Sequence, residues 1–69
     1  MNQLIIVNKP ELLINNTKLT HKITNIFAFE YNEKDKEVAI YENYIQWKNQ
    51  TPAFFICKVI SIAYSEEED

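Results

Sequence analysis

Apolar and polar residues alternate most regularly over Lys22–Asn32, where Phe27, Phe29 and Tyr31 are spaced by Ala28 and Glu30 and Ile23 continues the apolar set. Side chains of a strand point alternately to its two faces, so this period of two predicts one long strand with a buried face. The charged stretch Asn32–Glu37 interrupts it, and Val38, Ile40 and their neighbours resume the alternation. An even-numbered loop pairs Tyr31 with Val38 and Phe29 with Ile40, so both strands turn their apolar side chains to one face. A slip of one residue inverts every side chain, so the even register is the expected one. It sets Glu33 opposite Lys36, a surface pair worth ~0–1 kcal/mol.

The other runs read in the same way. Leu4–Val7 is β-branched and short, and it predicts a strand that ends before Lys9-Pro10. Glu11–Ile14 and Thr17–Leu19 flank Asn15-Asn16, a pair suited to a two-residue hairpin turn because Asn tolerates positive φ. A short helix over Pro10–Asn16 is the competing reading. Val38–Trp47 is read as a strand through about Tyr44, while Ile40, Tyr41, Tyr44 and Ile45 also fit one helix face, leaving Ile45–Gln50 open. After Thr51-Pro52, the run Ala53–Tyr64 is rich in strand formers and apolar on both faces, which predicts one long strand. A helix there would carry Glu66-Glu67-Glu68 at the end of the helix that favours positive charge.

The expected fold is therefore mainly β, an antiparallel meander of four to six strands curled into a small barrel or left as an open sheet. The alternative is α+β with one short helix, at Pro10–Asn16 or Tyr41–Gln50. Residues 1–64 are expected to form one β-rich domain and residues 65–69 an acidic tail.

Composition narrows the function classes. With 69 residues the core is small, and such domains usually need a staple such as a disulfide, a metal or a partner subunit. Cys57 is the only cysteine and His21 the only histidine. An internal disulfide is therefore excluded, and a zinc site, which takes three or four ligands, is not expected. Glycine is absent, which removes the glycine-dependent phosphate loops. No cofactor is expected. The chain has no arginine and a net charge of −3, a poor basis for neutralising phosphates or reading guanine, so nucleic acid is not an expected partner. The longest nearly apolar run is far shorter than the ~20 residues of a membrane-spanning helix. The N-terminus lacks the basic start of a signal peptide. The expected address is cytoplasmic, without a membrane role, and the sequons at Asn15 and Asn49 are then incidental. The Ile-, Asn-, Lys- and Glu-rich composition fits an AT-rich coding sequence, as in a low-GC bacterium or its phages and plasmids.

Little in the chain suggests catalysis. A Cys–His nucleophile needs Cys57 and His21 in contact with a third group orienting the base, and Cys57 lies in an apolar run. Glu30, Glu33, Glu37 and Glu42 lie among lysines on or near the hairpin, where nothing raises a carboxylate pKa. An enzyme is not expected. The nine aromatics are the more informative set, since a chain this short cannot bury them all, and Tyr and Trp are favoured at binding hot spots. In the even register Tyr41 falls on the face opposite Phe29, as does Trp47 if the strand continues. Tyr41, Tyr44 and Trp47 are therefore expected to bind a protein partner, together with Glu66, Glu67 and Glu68 of the tail. The leading expectation is a non-enzymatic protein-binding module, an inhibitor or accessory factor of a phage or mobile element. The alternative is a self-assembling subunit, a homodimer or virion component, with Ala53–Tyr64 at the contact.

Overall fold

Two of the apolar runs that read as single strands are each bent into two, and this builds the fold. The computed structural model describes residues 2–6 and 11–65. Its strands are β1 (Asn2–Ile6), β2 (Glu11–Asn16), β3 (Thr20–Thr24), β4 (Ala28–Asn32), β5 (Glu37–Tyr41), β6 (Phe54–Ile56) and β7 (Val59–Ser65), with one helix, α1 (Tyr44–Asn49). The protein is mainly β with antiparallel pairing throughout. The seven strands exceed the four to six expected and form two open sheets, not one meander and not a closed barrel. The first sheet has the order β1-β4-β5-β6 and the second β3-β2-β7.

The run Lys22–Asn32 breaks at Asn25, which adopts φ 59°, so β3 and β4 lie in different sheets. The run Ala53–Tyr64 breaks at Lys58, φ 55°, and divides β6 from β7 in the same manner. Left-handed backbone reverses the local direction of a strand, and here it carries the chain from one sheet to the other at two corners. The N–H of Val59 closes the second corner by donating to the Lys36 carbonyl at 2.9 Å.

The β4–β5 hairpin has the expected register, with Phe29 opposite Ile40 and Tyr31 opposite Val38. Its turn is built by Asn32, whose Oδ1 accepts from the N–H groups of Lys34 (3.1 Å) and Asp35 (3.2 Å). Lys36 takes the left-handed position at φ 56°. The expected Glu33–Lys36 pair does not form; the ion pair among the described residues is Lys22–Glu11 at 3.4 Å. The β2–β3 hairpin also forms, but its turn lies two residues later than expected. Asn15 pairs with Thr20 inside the ladder, and Asn16 Oδ1 accepts from the N–H groups of Lys18 and Leu19. Asn16 thus shapes the turn with its side chain and not with a positive φ. Consequently Thr17–Leu19 is loop, and the helix alternative over Pro10–Asn16 is excluded for Glu11–Asn16.

Side chains from both sheets meet in one core. Leu12 and Ile14 of β2 and Val59 of β7 pack with Phe29, Val38, Ile40 and Ile56 of the other sheet, and Ile26 joins from the β3–β4 corner. Leu12, Ile14, Val38 and Ile40 are fully buried. A second, smaller cluster lies on the outer face of the four-stranded sheet, where Ala28, Ala39 and Tyr41 are covered by Phe27 and Trp47. Phe27 therefore does not share the inward face of Phe29, as the alternation suggested, because the bend at Asn25 and Ile26 rotates it outward.

Candidate surface around helix α1

Helix α1 has only six residues, too few to be stable alone, so its ends and its packing hold it. Asn43 is the N-cap, with extended backbone and its Oδ1 accepting from Gln46 N at 2.9 Å. Gln46 reaches back, its side-chain oxygen accepting from Glu42 N at 2.7 Å. At the other end Gln50 takes φ 58°, its N–H donates to Trp47 O at 3.1 Å, and Thr51 N donates to Gln46 O at 2.9 Å. These two bonds are the Schellman closure, made here without glycine. Lys48 in the last turn suits the negative end of the helix dipole.

Three rings seat the helix on the sheet. Phe27 meets Tyr44 edge-on at 5.9 Å and 77°, and Trp47 lies 6.0 Å from Phe27 and 5.9 Å from Tyr44. Such pairs add ~0.5–1.5 kcal/mol each beyond the area they bury. Beneath them Tyr41 is buried, 4% exposed, and its hydroxyl donates to Glu30 Oε1 at 3.3 Å. Burial first, then the charge of Glu30 and this hydrogen bond, raise the Tyr41 pKa above its ordinary value. The phenol therefore stays protonated and keeps donating. Beside it a cleft of about 330 Å³ opens between Leu4, Glu30, Tyr41, Trp47, Lys48 and Gln50.

The sheet register explains what else shares this face. Leu4, Glu30, Ala39 and Phe55 stand directly across from one another over the four strands, so their side chains point the same way as Tyr41. Leu4, Ile6 and Phe55 are exposed there, and on α1 Tyr44 is 52% and Ile45 67% exposed. The face thus combines an apolar rim with one carboxylate and one phenol hydroxyl in a recess.

Of the residues expected to bind a partner, Tyr44 and Trp47 lie together on this face. Tyr41 lies there too, but buried in the cluster against which Trp47 packs, so it forms the floor and not an exposed part of the face. Glu66, Glu67 and Glu68 lie outside the described residues. Ile45, Leu4 and Ile6 were missed. Ile45 becomes a surface residue only once Tyr44–Asn49 is helical, and the Asn-x-x-Gln signal at Asn43–Gln46 is what could have shown that.

The two candidates for covalent chemistry lie on different elements. His21 stands on β3 opposite Ile14, and its Nε2 is buried without a hydrogen-bond partner. Cys57 is exposed at the β6–β7 corner, where its Sγ donates to Glu37 Oε2 at 3.4 Å, and this hydrogen bond raises the thiol pKa. A thiol so held is a weak nucleophile at neutral pH. No group of three or more His, Cys, Asp or Glu side chains among the described residues could hold a metal ion. No helix among the described residues is long and apolar enough to cross a membrane. No protein-family model, curated protein or solved structure matches the chain.

Proposed function

We propose that the chain is a small non-enzymatic protein-binding module that docks the α1 face of its four-stranded sheet onto a larger protein. The observation that carries this reading is the exposure of Tyr44 and Ile45, successive residues of a short helix whose Tyr44 and Trp47 rings are held against Phe27 on the sheet side. An exposed aromatic–aliphatic pair on a rigid seat loses little conformational entropy on binding, which is what a hot spot requires. Leu4, Ile6 and Phe55 extend the apolar patch, and the recess at Glu30 supplies a polar anchor for a donor group of the partner. The finer reading is an inhibitor or accessory factor of a phage or mobile element acting on a host protein; the Ile-, Asn-, Lys- and Glu-rich composition bears on the source alone, a low-GC bacterium or its phages and plasmids.

The test compares capture by the immobilised chain and by its Tyr44→Ala/Ile45→Asp variant from a low-GC bacterial extract. Circular dichroism checks the fold, because Tyr44 is also one of the rings that seat α1, and Ile45→Asp alone, at a position outside those ring contacts, is the second variant and is expected to lose the same protein. One stoichiometric protein retained by the parent and lost by the variant is the expected result. Equal capture by both, or background proteins alone, overturns the reading. Trp47→Ala is the poorer probe, because it also uncovers Tyr41.

A further inference from the structure

The two sheets part along one side of the molecule. There β1 is the edge of the four-stranded sheet and β7 the edge of the three-stranded sheet, and the two do not pair. A groove of about 240 Å³ lies between them, walled by Ile5, Phe29 and Tyr31 on one side and Ile60, Ile62 and Tyr64 on the other. Strand β7 pairs with β2 alone, so the N–H and C=O groups along its other edge find no strand partner among the described residues. Monomeric proteins usually blunt such an edge with lysine, proline or a bulge. The β2–β7 ladder has a register shift at Asn15/Asn16, beside Ile60, but Ser61–Ser65 runs in regular register with no charge and no proline. Ile60 is 67% and Tyr64 45% exposed beside this edge.

We propose that a second copy of the chain pairs its β7 with this edge, antiparallel about a two-fold axis at Ala63, joining the two three-stranded sheets into one of six strands. Three observations select a second copy and this register. First, antiparallel pairing of a strand with itself is self-complementary and closes at two, so it needs no other surface. Second, the regular segment Ser61–Ser65 is centred on Ala63, and pairing about that residue sets Ile62 opposite Tyr64 of the second copy. This is a favourable β-branched–aromatic pair on the face that walls the groove. Ala63, exposed on the other face, meets its own copy without crowding. Third, the charges are complementary. The acidic run Glu66–Asp69 follows β7 directly in the sequence. Antiparallel pairing separates the two acidic runs and sets the end of each β7 that leads into its run beside the start of the other β7, which Lys58 precedes. Parallel pairing sets the two runs side by side. The inference is independent of the α1 face, which belongs to the other sheet.

The test is the mass of the full chain by sedimentation equilibrium over a range of concentrations, joined to a cross-link at the axis. Opposed residues of an antiparallel pair have Cα atoms ~4.5–5.5 Å apart, within disulfide reach. In a Cys57→Ser background, Ala63→Cys is expected to oxidise to a covalent dimer. Thr24→Cys, exposed on β3, serves as the control and is expected to form no cross-link. The chain itself is expected to sediment as a dimer, and Lys58→Glu to weaken that dimer by up to ~30-fold, the size of two surface charge pairs, since the two-fold axis repeats the contact. A chain that stays monomeric at high micromolar concentration overturns the proposal. So does a dimer in which Ala63→Cys cross-links no better than Thr24→Cys.

Discussion

A chain without glycine still needs left-handed backbone, and here Asn25, Lys36, Gln50 and Lys58 supply it at φ between 55° and 59°. For a residue with a Cβ this conformation costs ~1–2 kcal/mol, less for Asn, whose side chain can hydrogen-bond locally. Glycine removes that cost but loses ~0.5–1 kcal/mol of backbone entropy on folding. The difference favours glycine at the three long side chains. Lys36→Gly, Gln50→Gly and Lys58→Gly are therefore each expected to stabilise the fold by ~0.5–1 kcal/mol, and Asn25→Gly to change it little. Urea denaturation of the four variants checks this. Loss of stability at Lys36 or Lys58 would show that the lysine side chain contributes more than its backbone costs.

At the scale of elements, the helix and the two corners decide where the side chains go. Removing the N-cap oxygen in Asn43→Ala is expected to cost ~1 kcal/mol. Because α1 is so short, the loss should appear first as a looser helix seat. Tryptophan fluorescence at Trp47 should shift toward that of an exposed indole before the sheets melt, and a coincident transition would contradict this. The β4–β5 register was legible because Phe29, Tyr31, Val38 and Ile40 repeat with period two on both sides of a charged loop. The α1 face was only partly legible. Tyr44 and Trp47 could be singled out as aromatics in excess of the core, but the packing of Trp47 against the Tyr41 cluster depends on a helix that β-branched and aromatic residues argued against. The corners were least legible. Asn25 is a turn former hidden in an unbroken alternation, and Cys57-Lys58 carries no turn chemistry at all, so both runs read as continuous strands.

At the scale of the molecule, stability rests on a few side chains shared by two sheets. A core of this size supplies ~3–5 kcal/mol of net stability, and truncating a buried Phe to Ala costs a similar ~3–5 kcal/mol. Phe29 is 1% exposed and touches the core from the four-stranded sheet while its ring meets Tyr64 of the other sheet at 5.6 Å. Phe29→Ala is therefore expected to abolish the cooperative thermal transition of the isolated chain. Leu19→Ala, at a position 57% exposed, should leave the transition unchanged. Differential scanning calorimetry of the two variants checks both. An intact transition in Phe29→Ala would mean that stability resides elsewhere, and self-association would be the first place to look.

The pairing of β2 with β7 has a consequence for how the chain comes to be folded. It joins residues near Glu11 to residues near Ser65, so an early stretch of the polypeptide finds its second neighbour only after some forty residues more have been made. During synthesis β2 can zip against β3, but the Leu12 and Ile14 side chains have no opposing wall until β4, β5 and finally Ile56 of β6 arrive. The domain is therefore expected to form in one late step and not piece by piece on the ribosome. Strand pairings so distant in sequence also place its folding among the slower small domains, on the order of milliseconds to seconds.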